Sequence, residues 1–128
     1  MSLEEIEIIK RRTEAFLKNA DSLLKEGDWD LAVFNLEQYC QLILKYKLLG
    51  KEGSYPRTYS LRRLIRELAR AYPNLLTLVE DEAKLHYVAR LEEAYIASRY
   101  LPYSYEEGEA LSLYRFVIDT FKKLIDEL

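Results

Sequence analysis

One cysteine, one histidine, four glycines and three prolines in 128 residues set the first limits on this chain. A lone Cys40 rules out an internal disulfide and fits a reducing compartment. A zinc site takes three or four ligands. The chain offers one histidine and no second cysteine, so Glu82 and His86, at i and i+4, read as surface or packed residues; no metal and no cofactor is expected. The glycines never fall into G-x-x-x-x-G-K-[ST] spacing, which excludes a P-loop. With a single histidine, a nucleophilic triad built on Ser104 or Cys40 is a poor bet. No run of 18 apolar residues exists, so nothing is expected to span a membrane. The opening MSLEEIEIIKRR puts acids ahead of its apolar residues where a secretory signal needs an apolar stretch, and the expected location is the cytoplasm. A net charge of −3 gives no overall pull on nucleic acid or anionic membrane, so any nucleic-acid site must be a local patch. Few amides beside 32% charged residues is the hyperthermophile habit and suggests a hot-organism origin.

What is abundant is helix-forming and apolar. The length suits one domain over residues 1–128 with a substantial core. Gly27 to Ile65 is the most informative stretch. Within it, Leu31, Ala32, Val33, Phe34, Leu36, Tyr39, Cys40, Leu42, Ile43, Leu44 and Tyr46 put apolar groups on nearly every face of one helix. A helix apolar all round must be covered on several sides, as the centre of a bundle or the seam between two. Before it, Ser2 is placed to cap a helix with the stripe Ile6, Ile9, Thr13, Phe16, Leu17, Ala20, Leu23 and Leu24, ended by Gly27. Asp28 is placed to cap the central helix, which runs to about Leu49. Gly50, Gly53, Ser54 and Pro56 mark the longest irregular stretch. Thr58 or Ser60 opens a short third helix, stopped by Tyr72-Pro73-Asn74. Leu75 to about Ser98 reads as a fourth helix. Tyr100 to Glu106 is a tyrosine-rich turn, and a fifth helix from about Glu107 has the face Ala110, Tyr114, Val117, Ile118, Phe121, Leu124, Ile125 and Leu128. The expected fold is all-α: an up-and-down bundle of four long helices and one short one.

Two constellations can carry chemistry. Arg62, Arg66 and Arg70, at i, i+4 and i+8 with Arg57 and Arg63 beside them, form a basic stripe that can grip phosphates. Its plain alternative is a solvated face opposite Leu61, Leu64 and Leu68, neutralised by Glu67 and the acidic fourth helix. The second is Ile96-Ala-Ser-Arg99-Tyr100-Leu-Pro-Tyr103-Ser104-Tyr105. An arginine at a helix end, followed by a proline-bent loop with three tyrosines, is placed to hold phosphate and stack on bases. Its plain alternative is that Arg99 pairs helix-end carbonyls while the tyrosines cover core. The acidic clusters Glu80-Asp81-Glu82, Glu92-Glu93 and Glu106-Glu107 read as solvated or helix-start residues, not catalytic carboxylates.

Three pieces in this order resemble the HEPN (higher eukaryotes and prokaryotes nucleotide-binding) domain family over nearly the whole chain. GDWDLAVFNLEQYCQLILKYKLLG resembles its second helix. PRTYSLRRLI resembles its P-x-T-H-x-L-x-x-L segment, with Tyr59 in the histidine's place. SRYLPYSY ahead of an amphipathic helix resembles its S-R-Y-P segment. The resemblance implies a dimeric helical bundle, often paired with a minimal nucleotidyltransferase (MNT) in a toxin–antitoxin-like system. It also implies, in many members, a metal-independent ribonuclease with an Arg-x(4–6)-His motif. Arg99 matches the arginine. Positions 104 to 106 are Ser104, Tyr105 and Glu106, so the histidine is missing. A tyrosine of ordinary pKa about 10 is a weak base at pH 7, and losing the proton acceptor costs about a hundredfold or more in rate. In some family pairs the transferase attaches nucleotide to a tyrosine near this motif, which would make Tyr103 and Tyr105 the analogous targets.

Three readings follow. The first is a catalytically weak or silent homodimer binding nucleotide, RNA or an MNT partner through Arg99, Tyr100, Tyr103, Ser104 and Tyr105, with Arg62 and Arg66. The second is an active ribonuclease using Arg99 and a tyrosine. The third is a purely structural helical partner. Dimerisation is expected through the tyrosine- and leucine-rich faces of the second and fourth helices.

Overall fold

The computed structural model describes residues 2–128, which form helices and the loops between them, with no strand among them. Helix α1 (Leu3–Glu26) starts at a capping box in which Ser2 and Glu5 exchange side-chain and backbone bonds. It ends at Gly27, whose φ of 77° is left-handed. Only two residues, Gly27 and Asp28, separate it from α2 (Trp29–Glu52), because the Asp28 amide bonds back to the Leu23 carbonyl at 2.9 Å and closes the α1 terminus. Asp28 holds the cap position without a side-chain cap bond, contrary to the expectation above. Helix α2 also runs one turn further than about Leu49. Gly50 stays helical, and Gly53, at φ 80°, is the residue that turns left-handed and ends it.

Ser60 caps α3 (Leu61–Ala69) by accepting from the Arg63 amide at 3.2 Å. Pro73 then opens a 3-10 turn, Pro73–Leu76, that passes into the short α4 (Thr77–Glu80). The expected single fourth helix is broken here. Asp81 adopts ψ 124° and caps α5 (Glu82–Tyr100), its carboxylate accepting from the Lys84 amide at 3.0 Å. Helix α6 (Glu107–Phe116) begins at a Glu106–Glu109 capping box and continues through a π-helical stretch, Val117–Phe121, into α7 (Lys122–Asp126). The extra residue in the π stretch shifts the buried line. Before it the line includes Leu113 and Phe116, which the simple periodic face left out; after it come Phe121 and Ile125.

Helix α2 is the central helix, packed against α1, α3, α5 and α6. Ala32, Val33, Leu36, Cys40, Leu44 and Leu48 are fully buried along it. Each buried leucine contributes roughly 2 kcal/mol by leaving water. Tyr39 meets Phe121 edge-on at 6.3 Å, and Tyr87 stacks on Phe116 at 4.8 Å, tying the C-terminal helices to the same core. No described helix is long and apolar enough to cross a membrane.

Candidate functional site

Helix α5 carries two opposed faces. Arg90 and Arg99 are nine residues apart, which at 3.6 residues per turn is half a revolution. Glu92, Tyr95 and Arg99 share one side; Arg90, Glu93 and Ala97 share the other.

On the first side, Arg99 is exposed and lies over three rings. Its guanidinium carbon is 4.3 Å from the Tyr95 centroid, 4.8 Å from Tyr100 and 5.3 Å from Phe34 of α2. Its Nε donates to the Tyr95 carbonyl at 2.8 Å, in the last turn of the helix. No carboxylate of the described residues forms an ion pair with it. Its two terminal nitrogens therefore have no carboxylate partner and form a planar donor pair suited to phosphate. The Tyr95 ring also stacks on Tyr59 at 4.4 Å, with planes 23° apart. Lys45 of α2 sits next along, its Nζ 5.7 Å from the Tyr59 centroid and 5.3 Å from Tyr55. Burial lowers the Lys45 pKa from its ordinary value. The result is a row of Lys45, Tyr59, Tyr95 and Arg99: a cation at each end and two stacked rings between.

Beneath this row lies Glu37, which is 0% exposed. Gln38 donates to its Oε1 at 2.7 Å, and Gln41 donates to its Oε2. Burial pushes its pKa up to about 7, while the two amides, Lys45 and Arg99 pull the other way. Glu37, Gln41, Lys45 and Tyr95 were not among the residues singled out from sequence. The first two lie inside a helix apolar on nearly every face, yet Asn35, Gln38 and Lys47 of the same helix are only half-buried, so membership of that helix did not by itself mark Glu37 and Gln41 as buried.

The end of α5 and the loop after it divide. Tyr100 is 69% exposed and belongs to the Arg99 side. Tyr103 belongs to the Arg90 side, where its hydroxyl accepts from Arg90 at 3.1 Å and donates to Glu109 at 2.9 Å. Arg90 also pairs directly with Glu109. Tyr105 is 4% exposed and meets Tyr103 edge-on at 4.9 Å, and its amide donates to Asp30 at 2.6 Å. Burial raises the Tyr105 phenol to about 12, and the bond to Glu109 raises that of Tyr103. Ser104 is exposed between them. Arg99 is thus ringed by Tyr95, Tyr100 and Phe34, not by Tyr103 and Tyr105. A groove of about 510 Å³ lies on the Arg90 side, lined by Ile96, Ala97, Leu101 and Tyr103.

In the basic stripe, Arg62 forms a fork with Glu92, its Nε 3.1 Å from the carboxylate, and Arg70 pairs with Glu67 at 3.1 Å. Arg66 is exposed and has no ion pair among the described residues. His86 and Glu82 are both exposed at the start of α5. Among the described residues no third metal-ligating side chain joins them.

A helical bundle presenting a cationic, ring-lined face is a scaffold suited to phosphate-bearing ligands. Residues 6–126 match the family described as HEPN domain, and the chain belongs to that family. Membership supports a nucleotide- or RNA-binding or ribonuclease-like role. Comparison with curated proteins and with solved structures found no match.

Proposed function

We propose that this HEPN chain binds a nucleotide or RNA as a homodimer through the Lys45–Tyr59–Tyr95–Arg99 row, works beside a minimal nucleotidyltransferase, and is catalytically weak or silent. The observation that carries the reading is Arg99 itself. An exposed guanidinium without a carboxylate partner, laid over Tyr95, Tyr100 and Phe34, joins phosphate recognition to ring surfaces on which bases stack. Arg66 extends the basic edge, whereas Arg62 is already neutralised by Glu92.

Weak or absent catalysis follows from proton chemistry. With the histidine missing, the motif segment offers the phenols of Tyr103 and Tyr105 and the carboxylate of Glu106, which is taken up in the α6 capping box, while Glu37 beneath Arg99 is buried out of a ligand's reach. At about 12, Tyr105 is ionised in roughly one molecule in a hundred thousand at pH 7. Tyr103 is displaced upward as well. Neither is a competent base for a ribose hydroxyl. The dimer reading is supported by Leu31, Ile96, Tyr100 and Leu101. All four are exposed and stand at the end of the molecule where the start of α2 meets the end of α5. Tyr103, with its hydroxyl at the surface of the Arg90 groove, is the better placed of the two tyrosines for nucleotide attachment by a transferase.

The test is incubation of the purified chain with labelled single-stranded RNA, beside Arg99→Ala. Binding without cleavage, lost in the variant, supports the proposal. Arginine-dependent cleavage overturns the silent reading in favour of a ribonuclease. Neither binding nor cleavage, with no complex on co-expression with a neighbouring nucleotidyltransferase, leaves a structural role alone.

A further inference from the structure

Glu37 is a buried acid wired to one of the two cations above it. Both of its oxygens accept from amide groups, Oε1 from Gln38 at 2.7 Å and Oε2 from Gln41. Gln41 then uses its own carbonyl oxygen to accept from Lys45 Nζ at 3.4 Å. The order carboxylate, amide, ammonium runs along one side of α2 at positions 37, 41 and 45, one turn apart. The charges that act on Glu37 are Lys45 of its own helix and Arg99 of α5. Its other titratable neighbour is Cys40, a fully buried thiol whose pKa burial raises far up and so keeps neutral. Helices α1, α3 and α6 bring no charge to bear on it.

We propose that Glu37 is a positioning residue for phosphate recognition. As a carboxylate it ties Lys45 back through Gln41 and offsets the charge of Lys45 and Arg99; as a carboxylic acid it releases both, and the face holds a phosphate-bearing ligand more tightly. The inference rests on the binding function proposed above and adds its regulation by proton concentration.

The hydrogen-bond inventory gives the reason. A carboxylate is acceptor-only and suits two amide donors. Once protonated, it donates through one oxygen, and with the proton on Oε2 the bond that Gln41 now makes becomes donor against donor. Gln41 can restore it only by turning its carbonyl toward Glu37, which points its NH2 group at the Lys45 ammonium. The ammonium then loses its acceptor and is free to swing to the surface. The charge effect has the same sign: removing one buried negative charge beneath two cations raises the local positive potential, and the low-dielectric surroundings leave it poorly screened. With the acid pushed up to about 7, this change falls across neutral pH.

The test uses the full chain and a short fluorescein-labelled single-stranded RNA with a 5′-hydroxyl, whose phosphodiesters keep their charge throughout. Anisotropy gives the affinity at about pH 6 and about pH 8 at constant ionic strength. Wild type is expected to bind about fivefold tighter at the lower pH. Glu37→Gln, which cannot ionise, is expected to bind equally at both, near the wild-type affinity at low pH. His86→Gln, which removes the one imidazole of the chain, should keep the wild-type ratio. A wild-type ratio of one, or an unchanged ratio in Glu37→Gln, overturns the inference while leaving RNA binding intact. No RNA binding at either pH overturns the proposed function instead. The inference then still stands or falls on NMR of the free protein: the Lys45 ammonium signal must move in step with the Glu37 carboxyl carbon, and a Lys45 signal indifferent to that step overturns it.

Discussion

Tyr59 and Tyr95 stack with centroids 4.4 Å apart, which fastens the loop before α3 to the outer side of α5 between the two cations Lys45 and Arg99. The pair braces Arg99 from one side, and under the proposed function it also offers ring surface to a base. Tyr95→Ala removes the ring nearest the guanidinium and the partner of Tyr59. Affinity for single-stranded RNA is expected to fall about tenfold, within the range found for one base–aromatic stack. Circular dichroism should stay helical, because Tyr95 is only half-buried. An unchanged affinity in a titration would remove the ring row from the site.

Arg99 and Arg62 separate a free cation from a neutralised one. Arg99 has no carboxylate partner among the described residues, whereas Arg62 is forked onto Glu92. Arg99→Ala is expected to lower the slope of log affinity against log salt by about 0.7, the loss of one phosphate contact on a single strand. Arg62→Ala should leave that slope nearly unchanged. Equal slope changes would show that both arginines meet the ligand alike.

The exposed apolar end of the molecule makes the dimer testable. Leu101 is 55% exposed beside Ile96 and Tyr100. Leu101→Glu puts a charge where the proposed interface has its apolar centre, and a buried unpaired carboxylate is strongly unfavourable. Sedimentation should show dimer for wild type and monomer for the variant. A monomeric wild type would refute the dimer.

Much of the architecture was legible because helix punctuation is local. Ser2, Gly27, Ser60 and Pro73 each sit where their side-chain chemistry or backbone freedom demands. Asp81 was not read as a break because it lies between Glu80 and Glu82 and looks like one more solvated acid; only its ψ and its bond to the Lys84 amide reveal the cap. The exposed, helix-end placement of Arg99 was legible from its position before a proline. Its partners were not, since the ring of Tyr95 and the ammonium of Lys45 reach it through packing between α5, α2 and the loop before α3. Tyr103 and Tyr105 looked like neighbours of Arg99 by sequence distance. The half-turn between Arg90 and Arg99 sends them to the other side.

Gly50 and Gly53 lie three residues apart and should respond oppositely to alanine. Gly50 is inside α2 with nothing near where a Cβ would go, so Gly50→Ala gains helix propensity and is expected to stabilise by about 0.5–1 kcal/mol. Gly53 has φ 80°, where a side chain is strained, and Gly53→Ala should cost about 1 kcal/mol. Urea unfolding of the two variants measures both, and the same sign for the two would contradict the assigned end of α2.

Glu37 also leaves a signature in stability against pH. Its folded pKa of about 7 lies above the ordinary value of 4.5. Below the lower value both states carry the proton, and the folded protein bears no penalty. Between the two values the folded state keeps the proton and the unfolded state has released it, so stability falls as pH rises. Above about 7 the buried carboxylate is ionised and the cost is complete, roughly 3 kcal/mol at about 1.4 kcal/mol per pKa unit. Glu37→Gln cannot ionise and should escape this loss. Urea unfolding is expected to show the variant roughly 1–3 kcal/mol more stable than wild type at about pH 8, and nearly equal to it at about pH 4.5. The amides of Gln38 and Gln41 are set to donate to two oxygens and find only one in glutamine, which places the gain below the full cost of ionisation. A stability difference that did not change with pH would mean that Glu37 carries the same charge in both folded and unfolded chains. Its place beneath Lys45 and Arg99 would then have no energetic consequence.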